Sequence, residues 1–374
     1  MLAAVSYDFS GQFAIVDLEK PTVKDGEALV RVIGSGVCHS DLHVLKDEVK
    51  FPRPAVLGHE VLGEVVEISD SERNHPNISV GDIVVSSFIM PCTKCRNCVS
   101  GHSNICSLFF MENRLKGNML DGTKRLFDFD KSEIASYSMA GFAEYAVIPL
   151  SALVKLTSNK VNADWCVLGC AGVTAYSSVS RALSFRKSSK VVTKSAAIVG
   201  LGGVGLFMTV FCRLLGIEEI VAIDLDPEKL KLASALGADK TINSFNKDFL
   251  AIRDELGMTG VDLVFEAVGS SLTLELSVEL LNEGGLVTAV GIASHGTRAA
   301  IEITPLVRRE FTIRGSFGGT VEKDLREVVE LAESGQIPLE KLVTQHYKLH
   351  EINLAFQSLA DRRTLGRSII EFER

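Results

Sequence analysis

A short segment near the middle of the chain constrains the fold more than any other. The apolar run "SAAIV" leads into "GLGGVG" at residues 200–205, and the apolar pattern "LFMTVFCRLLG" follows. Glycines that fit G-x-G-x-x-G between a strand pattern and a helix pattern are typical of the first turn of a βαβ unit. The segment therefore predicts a parallel sheet with helices packed on its faces.

The glycines of this turn are also the residues that a dinucleotide would need. Gly200 permits a tight turn, Gly202 lets a pyrophosphate approach the backbone, and Gly205 lets the helix pack closely on the strand. Gly203 and Val204 lie between them, where the helix N-terminus offers free N–H groups to phosphate. The turn therefore predicts a dinucleotide site.

The next strand pattern indicates which dinucleotide is bound. Asp224 ends the strand "IVAID", 19 residues after Gly205, where a carboxylate accepts both ribose hydroxyls and repels a 2′-phosphate. Leu225 and Asp226 follow, with no arginine to accommodate NADP, and Lys229 is close enough in sequence to reach the ribose. We therefore expect NAD as the cofactor.

Strand and helix patterns divide the chain into two kinds of domain. The first 150 residues contain short strand patterns such as "EALVRVIGSGV" and "GFAEYAVIPL", separated by turn residues, and predict a β-barrel-like domain. Later strand patterns such as "VDLVFEAVG" alternate with helix patterns such as "SLTLELSVELLNEGG". A chain of 374 residues also favours more than one domain. The fold class predicted is mixed α/β.

The domain boundaries are placed where these patterns change. We expect the β-rich domain over residues 1–160 and the dinucleotide-binding domain over residues 161–315. Residues 316–374 are expected to form the end of the dinucleotide-binding domain and then to return to the first domain. In that last segment "EKDLREVVELAESGQIPLEKL" predicts helix, and "RSIIEFER" predicts a strand that returns to the first domain. Residues 111–140 are polar and irregular, and we expect a surface excursion there.

The charge balance excludes several classes of partner. The net charge is −8 and the sequence pI is about 5.6, which argue against nucleic acid or anionic membrane as the main partner. The N-terminal residues "MLAAVSYDFSGQFAIVDLEK" do not have the basic start and apolar core of a secretory signal. We therefore expect a cytoplasmic protein, in which clustered thiols hold metal rather than form disulfides.

Four of the eight cysteines lie in one short segment, "CTKCRNCVSGHSNIC". They have the spacing C-x2-C-x2-C-x7-C, and their positions are Cys92, Cys95, Cys98 and Cys106. Four thiolates complete a tetrahedral Zn²⁺ site with no open position, so the pattern favours a structural zinc. An iron–sulfur cluster is the rival interpretation, but the ferredoxin spacing that ends in Cys-Pro is not found here. A redox C-x-x-C would not need four cysteines.

Five motifs along the chain carry a resemblance to a known family. "GVCHSDLH", "GHEVLGEV", the four-cysteine segment, "GCAGVTAYSSV" and "GLGGVG" occur in the order found in zinc-dependent medium-chain alcohol dehydrogenases. The chain therefore resembles that family over nearly its whole length. The resemblance implies an N-terminal GroES-like β-barrel catalytic domain and a Rossmann domain built on a doubly wound parallel sheet.

The resemblance also implies a second, catalytic zinc. Cys38, His59 and Cys170 match its three protein ligands, which leave the fourth position for water or an alcohol. Glu60 matches an acid close behind the metal, and Asp41 matches the carboxylate that orients the zinc-bound imidazole. Two zinc ions per chain are therefore expected.

The reaction implied is a reversible, NAD-linked oxidation of a primary or secondary alcohol to an aldehyde or ketone. Hydride passes from a zinc-bound alkoxide to the nicotinamide. Ser40 and His43 match the proton relay of the family. Ser40 passes the released proton by way of the cofactor ribose to His43, which is the outlet to solvent.

Other positions match cofactor and substrate contacts of the family. His39 matches a pyrophosphate contact that is often arginine in relatives, and a histidine there predicts easier NADH release. The matched contacts to the rest of the cofactor are Thr174, Val268, Val290, Ile292 and Arg367. Phe88 and Ile292 match pocket-lining positions and predict an apolar wall for a small-molecule substrate.

The same residues bear on three other functions. Polyol and sugar dehydrogenases of this fold typically carry an acidic residue at the third ligand position, and Cys170 argues against them. A glutathione-dependent formaldehyde dehydrogenase would need a basic pocket for the thiol adduct. A non-catalytic, zinc-stapled binding protein would leave Cys38, His59 and Cys170 unexplained together.

Two segments resemble parts of the family that govern assembly. "GNMLDGTKRL" is similar to the longer lobe loop of many dimeric members. "FTIRGSFGG" looks like the edge strand of the Rossmann sheet, through which members pair. We therefore expect a homodimer, or a homotetramer built from such dimers.

Overall fold

The computed structural model describes residues 1–69, 71, 77–257 and 260–373. The chain divides into two compact units, of which the first comprises Met1–Val173 and Gly319–Arg374 and the second comprises Thr174–Gly318. The boundaries expected from the sequence, after residues 160 and 315, lie N-terminal to both division points. The first division point falls inside a helix, Ala171–Ser188.

The secondary structure follows the two kinds of pattern found in the sequence. The strands are β1 (Leu2–Ser6), β2 (Ala14–Asp17), β3 (Glu27–Val37), β4 (Ala55–Val56), β5 (Val61–Ile68), β6 (Ile83–Ser86), β7 (Leu126–Phe127), β8 (Glu133–Ser136), β9 (Tyr145–Pro149), β10 (Leu153–Lys155), β11 (Ser195–Val199), β12 (Glu219–Asp224), β13 (Lys240–Asn243), β14 (Val261–Glu266), β15 (Leu281–Ala289), β16 (Thr312–Gly315), β17 (Val343–Lys348) and β18 (Arg367–Glu371).

The helices are concentrated in the second unit and near the C-terminus. The α-helices are α1 (His39–Leu45), α2 (Arg96–Val99), α3 (Ala171–Ser188), α4 (Gly203–Leu214), α5 (Pro227–Ala235), α6 (Phe249–Leu256), α7 (Ser271–Glu279), α8 (Ile303–Arg308), α9 (Arg326–Glu333), α10 (Leu339–Leu342) and α11 (Ile352–Ala360). The 3₁₀ segments are Ser103–Ile105, Leu150–Ala152, Ala163–Gly169 and Leu349–Glu351, and the π-helical segments are Phe109–Arg114 and Val321–Leu325.

Among the described residues, two sheets build the first unit. One has the strand order β2-β1-β4-β8-β7, and the other has the order β10-β6-β5-β3-β18-β17 with β9 also paired to β3. The long strand β3 is central in the larger sheet and is buried along nearly its whole length, as its run of β-branched and small residues predicts. The returning strand predicted near the C-terminus is confirmed, because β18 pairs antiparallel with β3, with Ser368 opposite Val37.

The second unit is one parallel sheet with helical connections. Its strand order is β13-β12-β11-β14-β15-β16, and every neighbouring pair is parallel. The strands run in the order 3-2-1-4-5-6 of a doubly wound dinucleotide-binding sheet, in which the order reverses between β11 and β14. Fully buried residues from four strands, Ala197, Val221, Val264 and Val287, join one core cluster. The predicted strand–helix alternation is therefore confirmed.

Helix starts in the second unit follow local capping rules. Asp226 accepts a hydrogen bond from Glu228 N at the start of α5, where Pro227 occupies the first turn. Ser270 forms a reciprocal capping box with Thr273 at the start of α7. These caps fix the loops that follow the strand ends of the sheet.

The segment at residues 111–140 differs from the sequence-based expectation. Asn113, Met119, Ile134 and Tyr137 are buried, so the prediction of a surface excursion is wrong for much of this segment. Asn113 tolerates burial because its amide hydrogen-bonds main-chain groups of three other residues. Within the described ranges, the helices are too short or too polar to cross a membrane.

Candidate active site and cofactor sites

The four cysteines near residue 100 form one compact cluster in the first unit. The Sγ–Sγ distances are 4.0 Å for Cys92–Cys98, 3.6 Å for Cys95–Cys98 and 3.9 Å for Cys95–Cys106. A tetrahedron of thiolates around Zn²⁺ has edges of about 3.8 Å, given bonds of about 2.3 Å. The donor set and spacing therefore fit a closed, structural zinc site.

Main-chain groups preorganise this cluster. Cys92 N donates to the Sγ atom of Cys106, and Cys95 N donates to the Sγ atom of Cys92, each over 3.3 Å. A backbone hydrogen bond at Cys98 is the main cause that lowers the pKa of Cys95 to about 6. Thiolate is the form that binds metal, so these N–H groups favour the ligating state.

A second cluster brings together residues that are far apart in sequence. Cys38, His59, Glu60 and Cys170 each offer a ligand atom, and these atoms lie within 4.8 Å of one another. The Cys170 Sγ and His59 Nε2 atoms are 3.5 Å apart. A tetrahedral zinc with one thiolate and one imidazole ligand places these two atoms about 3.5 Å apart. The geometry therefore fits a shared metal ion.

Each member of this cluster sits at the end of a regular element. Cys38 follows β3 and is the N-cap residue of α1. His59 and Glu60 immediately precede β5, which pairs with β3 so that Ser35 lies opposite Val61. Cys170 lies between a 3₁₀ segment and α3. The pairing of β3 with β5 therefore brings Cys38 close to His59 and Glu60. The start of α3 adds Cys170.

Asp41 fixes the orientation of the His59 ring. The Asp41 Oδ1 atom lies 3.0 Å from His59 Nδ1 and also accepts a hydrogen bond from Gly58 N over 3.1 Å. Burial disfavours the imidazolium, but the Asp41 carboxylate outweighs it and raises the pKa of His59 to about 10. Because a carboxylate only accepts, Nδ1 is the donor to Asp41, and Nε2 is the ring nitrogen that faces Cys170.

Glu60 is held slightly away from the position of a ligand. Its Oε1 atom lies 3.9 Å from His59 Nε2, whereas two zinc ligands of these types would be about 3.4 Å apart. The same oxygen accepts a hydrogen bond from the Arg367 guanidinium. Burial raises the pKa of Glu60 to about 7, although the charge of Arg367 opposes the shift. Three ligands therefore fit a metal better than four.

The two thiols of this cluster shift each other's pKa in opposite directions. A side-chain hydrogen bond with Cys170 lowers the pKa of Cys38 well below its ordinary range, against the effect of burial. The same hydrogen bond raises the pKa of the Cys170 thiol. Cys38 is therefore the more acidic thiol of the pair. A cation bound between the two sulfur atoms would favour the thiolate form of both.

Helix α1 carries the residues predicted to move a proton. Ser40 Oγ lies 3.8 Å from Cys38 Sγ, and His43 lies one turn further along on the same helix face. The Nδ1 atom of His43 pairs with the carboxylate of Glu48, and both side chains are part-exposed. His39, the predicted pyrophosphate contact, is exposed at the start of the helix.

Two aromatic rings pack against the His59 imidazole. The ring centroid of Phe88 lies 5.9 Å away and that of Tyr137 lies 5.8 Å away, both in edge-to-face arrangements. Both aromatic side chains are buried. Phe88 was matched from the sequence, whereas Ile292, matched to the same pocket, belongs to the second unit and is exposed.

The glycine-rich turn of the second unit fits a dinucleotide. Gly200 has a φ of +93°, which L side chains rarely adopt, and a Cβ atom at Gly205 would collide with the carbonyl of Gly200. A Cβ atom at Gly202 would meet nothing within 4 Å. This open space lies at the N-terminus of α4, which begins at Gly203 and continues through Val204. A pyrophosphate could therefore approach the free N–H groups there.

Asp224 joins the glycine turn to the end of β12. Its Oδ2 atom accepts a hydrogen bond from Leu201 N over 2.6 Å, and its Oδ1 atom accepts one from Asp226 N over 3.0 Å. The carboxylate is half-buried and each oxygen retains a lone pair, so both can still receive ribose hydroxyls. Lys229 is half-buried in α5, the next element along the chain.

The remaining predicted cofactor residues of the second unit occupy strand ends or the start of a helix. Val268 and Ile292 follow β14 and β15 and are exposed, and Val290 is half-buried between them. A Cβ atom at Gly269 would approach the Ile292 backbone to 2.6 Å, so these two loops touch. Thr174 is buried in α3. Three of these four predicted residues, Val268, Val290 and Ile292, therefore lie at the carboxyl edge of the sheet, where dinucleotides bind.

Several functional contacts were not predicted from the sequence. Arg367 was matched to a cofactor contact, but its guanidinium pairs with Glu60, which is 307 positions away along the chain. Tyr137 and Glu48 also contact predicted site residues without any motif of their own. Glu266, buried at the end of β14, accepts hydrogen bonds from Val268 N and Gly269 N and fixes that loop.

Comparison with protein families gives the same two-part organisation. Residues 24–158 match the family described as "Alcohol dehydrogenase GroES-like domain". Residues 203–334 match the family described as "Zinc-binding dehydrogenase". The predicted fold class, a GroES-like β-barrel domain with a Rossmann domain, is therefore confirmed.

Individual relatives resemble the chain from end to end. An S-(hydroxymethyl)glutathione dehydrogenase of Synechocystis sp. is 31% identical over 376 residues, covering 99% of both proteins. A solved alcohol dehydrogenase zinc-binding domain protein from Burkholderia ambifaria has a TM-score of 0.89 and 31% identity, covering 100% of this chain and 99% of that one. Benzyl alcohol dehydrogenase from Acinetobacter calcoaceticus has a TM-score of 0.87 and 31% identity with the same coverage. The chain therefore belongs to the zinc-dependent medium-chain alcohol dehydrogenase family and is an oxidoreductase whose cofactors are zinc and NAD.

Proposed function

We propose that this enzyme catalyses the reversible oxidation of a primary or secondary alcohol to an aldehyde or ketone, with Cys38, His59 and Cys170 as ligands of the catalytic zinc. One observation carries the assignment. The Nε2 atom of His59 lies 3.5 Å from Cys170 Sγ but 3.9 Å from Glu60 Oε1. The Oε1 atom of Glu60 instead accepts a hydrogen bond from Arg367. The three ligands therefore leave a fourth position for substrate oxygen.

The protein's own residues prepare this position for chemistry. When bound, the zinc ion supplies a Lewis acid that favours ionisation of an alcohol, and the nicotinamide of NAD accepts a hydride. Asp41 fixes the His59 ring, and Arg367 holds the nearer oxygen of Glu60. Phe88 and Tyr137 add apolar surface beside the imidazole, which disfavours bulk water at the reacting carbon.

A proton must leave the site whenever an alcohol is oxidised. The hydroxyl of Ser40 can accept that proton while donating its own, because a hydroxyl has both functions. His43 lies one helical turn further on and is part-exposed, so its imidazole can take up the proton and release it to solvent. Glu48 positions the imidazole through Nδ1 and leaves Nε2 for proton transfer.

The four thiols at Cys92, Cys95, Cys98 and Cys106 take no part in this chemistry in our proposal. Their cluster has no open ligand position, so a zinc ion there would stabilise the loop and would not bind substrate. The loop contains only short helical segments, Arg96–Val99 and Ser103–Ile105. A metal ion would supply the cross-links that such a short segment cannot obtain from a core of its own.

A second candidate function is oxidation of the glutathione adduct of formaldehyde. Relatives from Synechocystis sp. and Escherichia coli, 31% and 30% identical, are named S-(hydroxymethyl)glutathione dehydrogenases. The benzyl alcohol dehydrogenase of Acinetobacter calcoaceticus is equally similar in sequence, at 31% identity. Identity at this level does not separate the two substrates, so we place general alcohol oxidation first.

An initial-rate panel tests both functions. Zinc-loaded enzyme is assayed with NAD and with NADP against short, long and aromatic alcohols, sorbitol, and formaldehyde with glutathione. We expect NAD reduction with one or more of the simple alcohols and a kcat/KM at least tenfold lower with NADP. Turnover only with formaldehyde plus glutathione would select the second function, and no turnover with any substrate of the panel would refute both.

We also propose that two copies pair through β16, the edge strand of the parallel sheet. Strand β16 has β15 on one side and no partner strand among the described residues on the other. Ile303 and Val307, on the preceding helix α8, are exposed. An open strand edge beside exposed apolar residues favours pairing with a second copy. Sedimentation of the wild type and of Ile313→Pro tests the proposal, and an unchanged dimer in the variant would contradict it.

A further inference from the structure

The carboxylate of Glu266 is enclosed at the carboxyl end of β14. Its Oε1 atom accepts hydrogen bonds from Val268 N over 3.0 Å, from Gly269 N over 2.8 Å and from Thr273 Oγ1 over 2.7 Å. The residue is only 2% exposed. Hydrogen bonds to a charged group are stronger than those between neutral groups. A single side chain therefore holds the loop that follows β14.

The main chain of the same residue holds a second loop. The carbonyl oxygen of Glu266 accepts hydrogen bonds from Val290 N over 2.8 Å and from Gly291 N over 3.0 Å. Val290 directly follows β15, which pairs with β14 so that Ala289 lies opposite Glu266. A Cβ atom at Gly291 would come within 2.0 Å of Gly269 N, so the two loops pack without room for a side chain. Glu266 therefore joins both loops to the end of one strand.

The loop after β14 also packs on the glycine-rich turn. A Cβ atom at Gly200 would approach Cγ2 of Val268 to 2.3 Å, so these two residues are in close contact. Glu266 lies beside Val199, the last residue of β11, in the parallel pairing of β11 with β14. The strand order reverses between these two strands, and dinucleotides bind in the crevice at such a point. Glu266 is therefore central to three loops that carry predicted cofactor contacts.

We propose that Glu266 is a positioning residue for NAD, and that its carboxylate keeps the three loops in the arrangement that receives the cofactor. The inference concerns the cofactor site and holds whichever alcohol the enzyme oxidises. When only a fraction of the chains has the competent arrangement, the apparent dissociation constant is the intrinsic one divided by that fraction. Removal of the carboxylate leaves Val268 N and Gly269 N without their acceptor and so lowers the fraction.

Strand β14 itself offers a matched control. Near its amino end, Oδ2 of Asp262 accepts from Lys194 N, Ser195 N and Ser195 Oγ over 2.8, 3.1 and 3.2 Å. Asp262 therefore accepts the same set of bonds as Glu266, from two main-chain N–H groups and one hydroxyl, about 13 Å away along the strand. A general loosening of the strand would follow the loss of either carboxylate, whereas an effect on the cofactor should follow the loss of Glu266 alone.

Fluorescence titration of the zinc-loaded enzyme with NADH, without any alcohol, tests the proposal. We expect the dissociation constant to rise about tenfold or more in Glu266→Leu, the change that results when one chain in ten keeps the competent arrangement. Glu266→Gln retains an oxygen that can accept from Val268 N and Gly269 N, and should stay within about threefold of the wild type. Asp262→Leu should stay within about twofold, because distant sites act independently.

Hydrogen exchange followed by mass spectrometry reports on the loops directly. The amides of Val268, Gly269, Val290 and Gly291 donate to Glu266 and should exchange slowly in the wild type. In Glu266→Leu, peptides that cover residues 267–270 should exchange faster. Asp262→Leu should instead accelerate exchange in peptides that cover residues 193–196.

Steady-state kinetics give a readout that a purely structural role would not change. In Glu266→Leu the KM for NAD should rise about tenfold, because the cofactor meets fewer competent chains. The kcat value should stay within about twofold of the wild type, or increase where release of NADH limits turnover. A fall in kcat at an unchanged KM for NAD would contradict the proposal.

Two results of the NADH titration would overturn the proposal. One is an unchanged dissociation constant in Glu266→Leu, and the other is an equal rise in Asp262→Leu, which would indicate a general loosening of the strand. If Glu266→Leu does not fold, Glu266→Asp replaces it. Its carboxylate is one methylene shorter and cannot reach both N–H groups, so we expect binding of NADH to weaken at least about threefold. Binding as tight as in the wild type would then refute the role of Glu266.

Discussion

The guanidinium of Arg367 donates a hydrogen bond to the carboxylate of Glu60, and the two side chains are 6% and 0% exposed. The contact depends on the register of β18 against β3, which places Ile369 opposite Gly36. On the other side of β3, the pairing with β5 places Gly36 next to Glu60. A side chain at Gly36 would collide with the Glu60 carboxylate. Pairing of the C-terminal strand β18 with the N-terminal strand β3 therefore fixes Glu60, the acid that adjoins the proposed zinc ligands.

We predict that Arg367→Leu lowers the free energy of unfolding by about 3–5 kcal/mol, because it leaves the Glu60 carboxylate buried without a partner. Arg31→Leu is the control, since Arg31 pairs with Glu64 where both side chains are part-exposed, and it should cost less than about 1 kcal/mol. Denaturant unfolding of the zinc-loaded proteins measures both values. Equal losses in the two variants would contradict a special role for the buried pair.

The same variant should change catalysis. Without the guanidinium, the Glu60 carboxylate is free to move towards the ligand atoms of Cys38 and His59 and to compete with substrate for the fourth position. We therefore expect kcat/KM to fall more in Arg367→Leu than in the double variant Arg367→Leu/Glu60→Gln, which has no competing carboxylate. A lower activity in the double variant would show that Glu60 itself assists the reaction.

Asp224 should decide between NAD and NADP. Asp224→Asn keeps an oxygen that can accept the hydrogen bond from Leu201 N but removes the charge. We expect kcat/KM with NAD to fall about tenfold or more, because a hydrogen bond to a charged group is lost, and kcat/KM with NADP to rise. Asp226→Asn, a cap residue two positions away, is the control and should leave the NAD/NADP ratio unaltered. The same change in both variants would indicate a loop effect rather than ribose recognition.

His43 should be needed for proton release rather than for substrate binding. His43→Gln is expected to lower kcat about tenfold or more and to change KM little, since the imidazole would act in proton transfer. A small amine or imidazole in the buffer should restore part of the lost rate by accepting the proton directly. His350→Gln, at an exposed histidine of the first unit, provides the control. A loss in His43→Gln that no buffer restores would argue against the relay.

The four-cysteine cluster should contribute stability before activity. Cys95→Ser removes one thiolate from the set, and we expect its midpoint of thermal unfolding to fall on the order of 10 °C, because structural zinc binding is coupled to folding. Ser100→Ala, an exposed position in the same loop, should change the midpoint by less than about 2 °C. Loss of turnover in Cys95→Ser at an unchanged midpoint would mean that the two clusters have been assigned the wrong way round.

The features that could be predicted from the sequence are those with local signals. The glycines at residues 200–205 predicted both a strand–turn–helix and a parallel sheet, because each glycine has its own steric reason. The four cysteines near residue 100 predicted a metal cluster by spacing alone. Cys38, His59 and Cys170 became recognisable only through the order of motifs, since no local spacing relates them.

The features that could not be predicted depend on partners distant in sequence. Arg367 and Glu60 are 307 positions apart, so no pattern indicates that they pair. Asn113 looks like a surface residue in a polar stretch, yet its amide is satisfied by main-chain groups that only the folded chain presents.

The most direct test of the central claim is the zinc content per chain, measured together with turnover, in the wild type, Cys38→Ser and Cys95→Ser. We predict two zinc ions in the wild type, as expected for one closed and one open site. Cys38→Ser should retain one zinc ion, keep its thermal midpoint within a few degrees, and lose at least about 1,000-fold in kcat, as removal of a Lewis acid requires. One zinc ion in the wild type, or full activity in Cys38→Ser, would contradict the account.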